Sequence, residues 1–187
     1  MCELCDRQLA STGLSRRSFI AGTLGLAAAS FSIIPAAQAR EARSLSFYHT
    51  HTGRQLRLTY AEDGQHIPEA LDEVKHFLRD FRTGEAHPID PELLDLLHQL
   101  RQKAGGRGTY EIISAFRSPH TNEMLRSNSG AVAQRSLHME GKAIDVRLRG
   151  VPTRDLREHA LSLKAGGVGY YQRSDFIHVD TGRVRFW

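Results

Sequence analysis

Alternating apolar and polar residues predict a β-hairpin near position 50. The alternation runs through residues 45–50 and 55–60, and Thr52 and Gly53 lie between the two segments as turn residues. Each segment therefore has one apolar face, as expected for neighbouring strands that cover a core on one side.

Two segments that follow have apolar residues three and four positions apart, which predicts helices. The first begins at Pro68 and is expected to end near Gly84. The second has Asp90 as its N-cap and Pro91 at its first helical position, and it ends at Gly105. We expect its apolar side to pack in the core; the residues are Leu93, Leu94, Leu96, Leu97 and Leu100.

The rest of the chain predicts four strands and two helices. The strands are 109–115, 142–148, 168–171 and 176–180, and the helices begin at Pro119 and Pro152. Helices gathered early and strands gathered late are typical of an α+β fold rather than of alternating parallel βαβ units. We expect a single small domain in which helices pack on an antiparallel sheet.

The segment 1–39 predicts an export signal rather than part of the fold. Arg16 and Arg17 precede an apolar stretch at 19–34, and Ala37 and Ala39 provide the small residues of a cleavage site. The paired arginines resemble the twin-arginine signal of bacteria. The alternative is a membrane anchor, although the stretch is at the short limit for a bilayer span. We expect cleavage after Ala39, which leaves a domain at 40–187 with no stable membrane anchor.

Composition narrows the chemistry that this domain can perform. The chain has 187 residues, a formal net charge of +4 and two cysteines, Cys2 and Cys5, which both lie in the predicted leader. The mature domain can therefore bind a metal only through His, Asp and Glu. The basic residues are scattered among nearly as many acidic ones, so we do not expect a nucleic-acid partner.

Three residues of the mature domain form a candidate metal site. His138 precedes a predicted strand, Asp145 lies in that strand, and a loop that turns at Gly141 can bring the two together. His178 lies on the last predicted strand. Two histidines and a carboxylate are a common catalytic zinc set, which leaves the fourth position open for water.

The pattern Ser-x-His-x6-Asp, followed by a distant histidine on a late strand, resembles the zinc peptidases of the D-Ala-D-Ala carboxypeptidase family. That group includes peptidoglycan endopeptidases and the zinc-binding domain of hedgehog proteins. Within it, the chain resembles most the MepK family of murein endopeptidases. The similarity extends through nearly the whole mature chain, and its matching stretches are 45–53, 77–82, 113–118, 136–145, 165–171 and 178–182.

The resemblance implies a role for each matching residue. It implies zinc ligation by His138, Asp145 and His178. Arg117 would bind substrate and stabilise the developing oxyanion, since a guanidinium keeps its charge and donates forked hydrogen bonds. Asp175 occupies the place of the general base in several relatives.

The base is the least determined of these roles. Residues three apart in a regular strand point to opposite faces, so Asp175 can face the metal only if the strand begins after it. Asp180 lies two positions beyond His178 and shares its face, so it could orient that ligand. Ser136 and Tyr170 are further candidates to support the site or bind substrate, and either Tyr170 or Tyr171 is expected in the core.

The export signal and the candidate metal site, together with what the resemblance implies, predict a periplasmic zinc metallopeptidase. We expect it to be exported by the twin-arginine pathway and, as the resemblance implies, to hydrolyse the peptide cross-links of peptidoglycan during cell-wall growth. A carboxypeptidase that trims D-Ala from stem peptides uses the same chemistry and stays open as an alternative. Two non-catalytic alternatives also stay open: a zinc-binding domain and a metal-free module that binds peptidoglycan.

Overall fold

The alternating segments near position 50 form the predicted hairpin. The computed structural model describes residues 41–129 and 132–187, so the predicted leader and its cleavage site lie outside the described residues. Strands β1 (Ala42–His49) and β2 (Gln55–Glu62) pair antiparallel. Leu45 and Phe47 are buried on the apolar face of β1, which is the face that the alternation predicts.

The hairpin belongs to an eight-stranded sheet in the described part of the chain. The other strands are β3 (Gln65–His66), β4 (Tyr110–Ser114), β5 (Ala143–Leu148), β6 (Gly167–Tyr171), β7 (Phe176–Asp180) and β8 (Arg185–Phe186). Their order is β3-β2-β1-β4-β5-β7-β6-β8. The two-residue strands β3 and β8 are too short to show an alternation, and the sequence did not predict them.

The sheet is mixed rather than wholly antiparallel. β1 pairs parallel to β4, and β6 pairs parallel to β8, whereas the other neighbouring strands pair antiparallel. The parallel pair arises because a long helical connection separates β2 from β4, which allows the chain to cross over. The α+β class is confirmed, and the expected antiparallel arrangement holds for β4, β5, β7 and β6.

In residues 41–129 and 132–187, four α-helices join these strands: α1 (Pro68–Phe77), α2 (Pro91–Lys103), α3 (Pro119–Ser129) and α4 (Thr153–Leu163). The same part of the chain has two short 3₁₀ helices, at Leu137–Glu140 and Gln172–Ser174. Asp90 caps α2 as predicted, because its side chain accepts a hydrogen bond from the Glu92 amide at 3.0 Å. Within the described residues, no helix combines the length and the apolar composition that crossing a membrane requires.

Helix α1 ends at Phe77, so the expected end near Gly84 is wrong. The reason lies at Asp80, which is buried. Its carboxylate accepts hydrogen bonds from the amide and hydroxyl of Ser118 at 2.9 and 2.8 Å, and from the Arg82 amide at 2.9 Å. These bonds fix residues after Phe77 as a loop that is attached to the end of β4.

The central strands bury both of their faces. Ile144, Val146, Ile177 and Val179 lie in the hydrophobic core, and α4 contacts β5, β6 and β7. Because side chains alternate along a strand, Asp145 and His178 project from the opposite face of the same strands. The sheet therefore separates an apolar core from a buried polar site.

A buried histidine lies at the end of the hairpin. His49 packs against the rings of Phe77 and Phe81, with ring centroids 6.1 and 5.6 Å away, and its Nδ1 accepts a hydrogen bond from the His51 amide at 3.3 Å. Burial and the charge of His51 lower the pKa of His49 to about 4. The folded protein therefore keeps this ring neutral near pH 7, whereas the pKa of an unfolded histidine is about 6.5.

We predict that His49 makes the protein less stable as the pH falls from about 6.5 toward about 4. In that range only the unfolded chain binds the proton, so protonation favours unfolding. Between about pH 6.5 and 5.5 this group should remove about 1 kcal/mol of unfolding free energy. Urea unfolding across this range should show a smaller pH slope for His49→Gln. The exposed His120→Gln should retain the slope of the unmodified protein, and an unchanged slope in His49→Gln would contradict the prediction.

Candidate metal centre

Three side chains from two strands and a 3₁₀ helix converge at one buried point. Asp145 of β5 is paired directly with His178 of β7, so both project from the same face. Their Oδ1 and Nδ1 atoms are 2.9 Å apart. The Nε2 atom of His138 lies 3.2 Å from His178 Nδ1 and 3.3 Å from Asp145 Oδ1. All three residues are buried, and they form a group that could hold a metal ion.

The turn at Gly141 brings His138 to the strands, as the sequence predicts. Gly141 adopts a left-handed conformation with φ of 66° directly after the 3₁₀ helix. A Cβ atom at this position would lie 2.1 Å from the carbonyl oxygen of Pro88. Both the conformation and the close approach therefore require glycine. The amide of Lys142 then donates to the Leu137 carbonyl oxygen at 3.0 Å, which closes the turn.

Each histidine is oriented by a hydrogen bond from its second ring nitrogen. His138 Nδ1 donates to the backbone carbonyl oxygen of Ala115 at 2.7 Å, which leaves Nε2 directed at the other ligands. His178 Nε2 donates to Asp180 Oδ2 at 2.9 Å, which leaves Nδ1 directed inward. Such partners are typical of metal-binding histidines because they determine the tautomer and the ring orientation.

The electrostatics of the group favour a cation between the ligands. Burial lowers the pKa of His138, so its ring is neutral. Burial alone would raise the pKa of Asp145, but the interactions with His138 and His178 outweigh it and hold that pKa well below its ordinary range. Burial would also lower the pKa of His178, but hydrogen bonds to Asp145 and Asp180 outweigh it and raise that pKa. The ionised Asp145 therefore supplies a negative charge beside the two histidines, which favours a cation at this point.

Asp180 is a fully buried carboxylate that orients His178 by accepting a hydrogen bond from its Nε2. Besides the histidine, it accepts hydrogen bonds from the amides of Gly167 and Gly182 at 3.1 and 2.8 Å. Arg185 donates to both of its oxygens, at 3.0 and 2.7 Å. Burial would raise the pKa of Asp180, but these donors outweigh it and keep the carboxylate ionised.

Arg117 lies beside the three ligands at the end of β4. Its Nη2 donates to Asp145 Oδ2, and its Nε donates to Ser114 Oγ at 2.8 Å. The amide of Arg117 donates to the His138 carbonyl oxygen at 3.2 Å, and Asp80 holds the next residue, Ser118. The loop after α1, which carries Asp80, therefore helps to fix the turn that carries Arg117. The sequence had predicted this loop as part of a helix.

The structure does not bring Asp175 to the ligands. Asp175 has a left-handed φ of 50° between the second 3₁₀ helix and β7. Its carboxylate accepts a hydrogen bond from Thr153 Oγ1 at 2.6 Å and forms an ion pair with Arg147 at 3.3 Å. The hydrogen bond from Thr153, followed by the interactions with Arg147, lowers the pKa of Asp175. These contacts hold the carboxylate in a separate cavity, so its geometry does not support the expected role of base.

The ligands open into a cleft of about 510 Å³, which we call the ligand cleft. Ser136 lines this cleft, and its role in supporting the site or binding substrate stays a prediction. Tyr170 does not line it but packs against the hydrophobic core, where Arg157 lies over its ring at 5.7 Å. Tyr171 lines the cleft in its place, because β6 pairs Gly169 with His178 and Tyr171 is two residues further along the same face.

Several residues of the ligand cleft were not predicted from the sequence. The one signal for those in or next to strands is that residues two positions apart lie on the same face: Arg185 and Trp187 share one face near β8, and Phe176 shares the face of His178. This spacing becomes informative only when the strand pairing is known. The missed residues that line the cleft include Arg135, Leu137, Phe176, Arg185 and Trp187.

Comparison with known proteins identifies the family. The family model Peptidase_M15_2, described as "Peptidoglycan L,D-endopeptidase MepK", matches residues 37–187. The chain belongs to the MepK family of peptidases. The MepK protein of Escherichia coli K12, named peptidoglycan L,D-endopeptidase, is 41% identical over 145 residues, which cover 78% of this chain and 80% of that protein. No solved structure matches the chain.

A second relative extends the similarity. The probable peptidoglycan L,D-endopeptidase MepK of Haemophilus influenzae is 38% identical over 165 residues, which cover 88% of this chain and 89% of that protein. Both relatives thus match the chain over most of their own length. This chain is an enzyme of a metallopeptidase family, and its buried His-Asp-His group lies within the region that the MepK family model matches.

We predict that His138→Ala removes stoichiometric metal binding, because one of three converging ligands is lost. Asp180→Asn should weaken metal affinity about 10- to 100-fold, the usual effect of losing a carboxylate that supports a ligating histidine. Metal content after equilibrium dialysis measures both effects. Asp175→Asn removes a carboxylate outside the centre and should bind metal like the unmodified protein. Full metal content in His138→Ala would contradict the assignment.

Proposed function

We propose that the chain is a zinc-dependent endopeptidase that hydrolyses peptide cross-links of peptidoglycan in the periplasm, with the L,D specificity for which its relatives are named. The observation that carries the proposal is the convergence of His138, Asp145 and His178 beside Arg117 in one cleft. Membership of the MepK family supports the substrate class.

Zinc fits the donor set better than magnesium or calcium does. Imidazole nitrogen and carboxylate oxygen are ordinary zinc ligands, whereas magnesium and calcium prefer oxygen alone. In a tetrahedral zinc site with bonds of about 2.0 Å, neighbouring ligand atoms lie about 3.3 Å apart. The three distances between the donor atoms here are 2.9, 3.2 and 3.3 Å, which are close to that spacing.

The residues around the donors suit hydrolysis without a covalent intermediate. A zinc ion held by them would polarise the scissile carbonyl and lower the pKa of a bound water. Arg117 supplies a permanent positive charge beside that position. Its contacts with Asp145 and Ser114 use Nη2 and Nε, and a guanidinium has further N–H groups with which to stabilise a developing oxyanion.

A separate carboxylate base is not required by this proposal. Among the described residues that line the ligand cleft, Asp145 has the only carboxylate side chain, and it is assigned to the metal. Asp175 is engaged by Thr153 and Arg147 in a different cavity. We infer that activation of water depends on the metal and its ligands rather than on Asp175.

The proposed location depends on the segment before the domain. The paired Arg16 and Arg17, the apolar stretch and Ala37-Gln38-Ala39 support export by the twin-arginine pathway with cleavage after Ala39. The MepK family supports a cell-wall substrate, and an exported enzyme would meet that substrate in the periplasm.

The test of the function is digestion of purified murein sacculi by the mature protein, followed by chromatography of the released muropeptides. We predict that cross-linked dimers joined through L,D bonds disappear and that monomers accumulate. A chelator should abolish the reaction, added zinc should restore it, and His138→Ala should be inactive.

The same experiment separates the alternatives. Loss of terminal D-Ala from stem peptides with cross-links intact would favour a carboxypeptidase and contradict the proposal. Unchanged sacculi, together with stoichiometric zinc, would indicate a non-catalytic zinc domain. Binding to sacculi that neither zinc nor chelator affects would indicate a metal-free binding module.

We predict opposite results for two variants of charged residues near the centre. Arg117→Lys should lower kcat about 100-fold, because an ammonium group cannot reproduce the guanidinium's fixed hydrogen bonds. Asp175→Asn should lower kcat less than about 10-fold, whereas loss of a true base costs about 100- to 10,000-fold. Steady-state hydrolysis of a purified muropeptide dimer measures both. A 100-fold loss in Asp175→Asn at full zinc content would restore Asp175 as the base.

A further inference from the structure

Three aromatic side chains form one wall of the ligand cleft. Tyr171 and Phe176 stack with their ring centroids 4.6 Å apart, and Trp187 donates from Nε1 to the Tyr171 hydroxyl at 3.2 Å. The ring of Trp187 lies 5.3 Å from the ring of the ligand His178. Trp187 nevertheless remains 49% exposed, although large aromatic side chains gain most by burial.

Trp187 is held in place by contacts with residues of β6 and β8. Its amide donates to the Val168 carbonyl oxygen at 3.2 Å, and its carbonyl oxygen accepts from the Tyr170 amide at 3.0 Å. Arg185 lies over the indole ring at 5.1 Å, while Asp180 neutralises that arginine. The indole is therefore a preorganised surface rather than a freely rotating side chain.

The residue beneath the indole must be glycine for this placement. A Cβ atom at Gly169 would lie 2.7, 2.8 and 2.9 Å from Cε2, Cζ2 and Nε1 of Trp187. Any side chain at Gly169 would consequently displace the ring. Gly169 is also the residue that β6 pairs with His178, so the indole lies next to the metal ligand.

We propose that Trp187, positioned by Gly169, binds an aliphatic portion of the cross-linked peptide next to the scissile bond. This inference rests on the proposed function. A rigid, half-exposed aromatic surface beside the metal offers van der Waals contact to methylene groups, while Arg117 and the ligands engage the polar peptide bond. The aromatic wall would then select which peptide arm enters the cleft, and the metal site would hydrolyse the bond that this arm presents.

The test compares steady-state hydrolysis of a purified cross-linked muropeptide dimer by Trp187→Ala, Gly169→Ala and the double variant. Trp187→Ala should raise KM about 10-fold and leave kcat within about threefold, the pattern of lost substrate binding. Gly169→Ala should also raise KM, about three- to tenfold, since it retains the indole but displaces it.

The double variant distinguishes displacement of the ring from general damage to β6. If Gly169 acts through Trp187, Gly169→Ala should change KM less than about twofold in the Trp187→Ala background. Phe186→Ala is the matched control, because Phe186 neighbours Trp187, is 70% exposed and does not line the cleft; its KM should be unchanged. Additive effects of the two substitutions would overturn the role of Gly169.

Fluorescence gives a readout that does not depend on turnover. Trp187 is the single tryptophan of the chain, so muropeptide dimers added to His138→Ala should change its emission and protect it from a soluble quencher. Unaltered emission and quenching would overturn the proposal, as would a fall in kcat or zinc content without a rise in KM. Absence of hydrolysis by the unmodified protein would instead contradict the proposed function, while the fluorescence would still report binding.

Discussion

The site depends on one buried carboxylate, that of Asp145, which contacts positive or hydrogen-bonding groups on both of its oxygens. Oδ1 faces the two histidines, and Oδ2 accepts from Arg117. A buried carboxylate is costly unless it is paired. The same requirement therefore places the arginine against the ligands and makes the point between the histidines favourable for a cation.

Support for this group comes from a second carboxylate and from a loop. Asp180 orients His178 and is itself satisfied by Arg185 and by two backbone amides. Asp80 holds the turn that carries Arg117. The ligands are consequently fixed before any metal binds, which reduces the reorganisation that binding requires.

Much of the architecture could be predicted because its signals are local. The hairpin, the capped helix α2 and the turn at Gly141 each follow from a few neighbouring residues, and the structure confirms them. The early end of α1 could not be predicted. Its cause is the bond between Asp80 and Ser118, which are 38 positions apart in the chain, and the apolar periodicity continues past that point.

The sequence by itself determined which residue types could bind a metal within 40–187, since these residues include no cysteine and leave only His, Asp and Glu, and the spacing at 138–145 selects two of them. Only the tertiary structure decided which candidates reach the cleft. It brings Tyr171 and Trp187 there, and it places Tyr170 in the core and Asp175 elsewhere. The physical reason is that alternation along a strand assigns side chains to two faces, while the pairing of distant strands decides which face becomes the site.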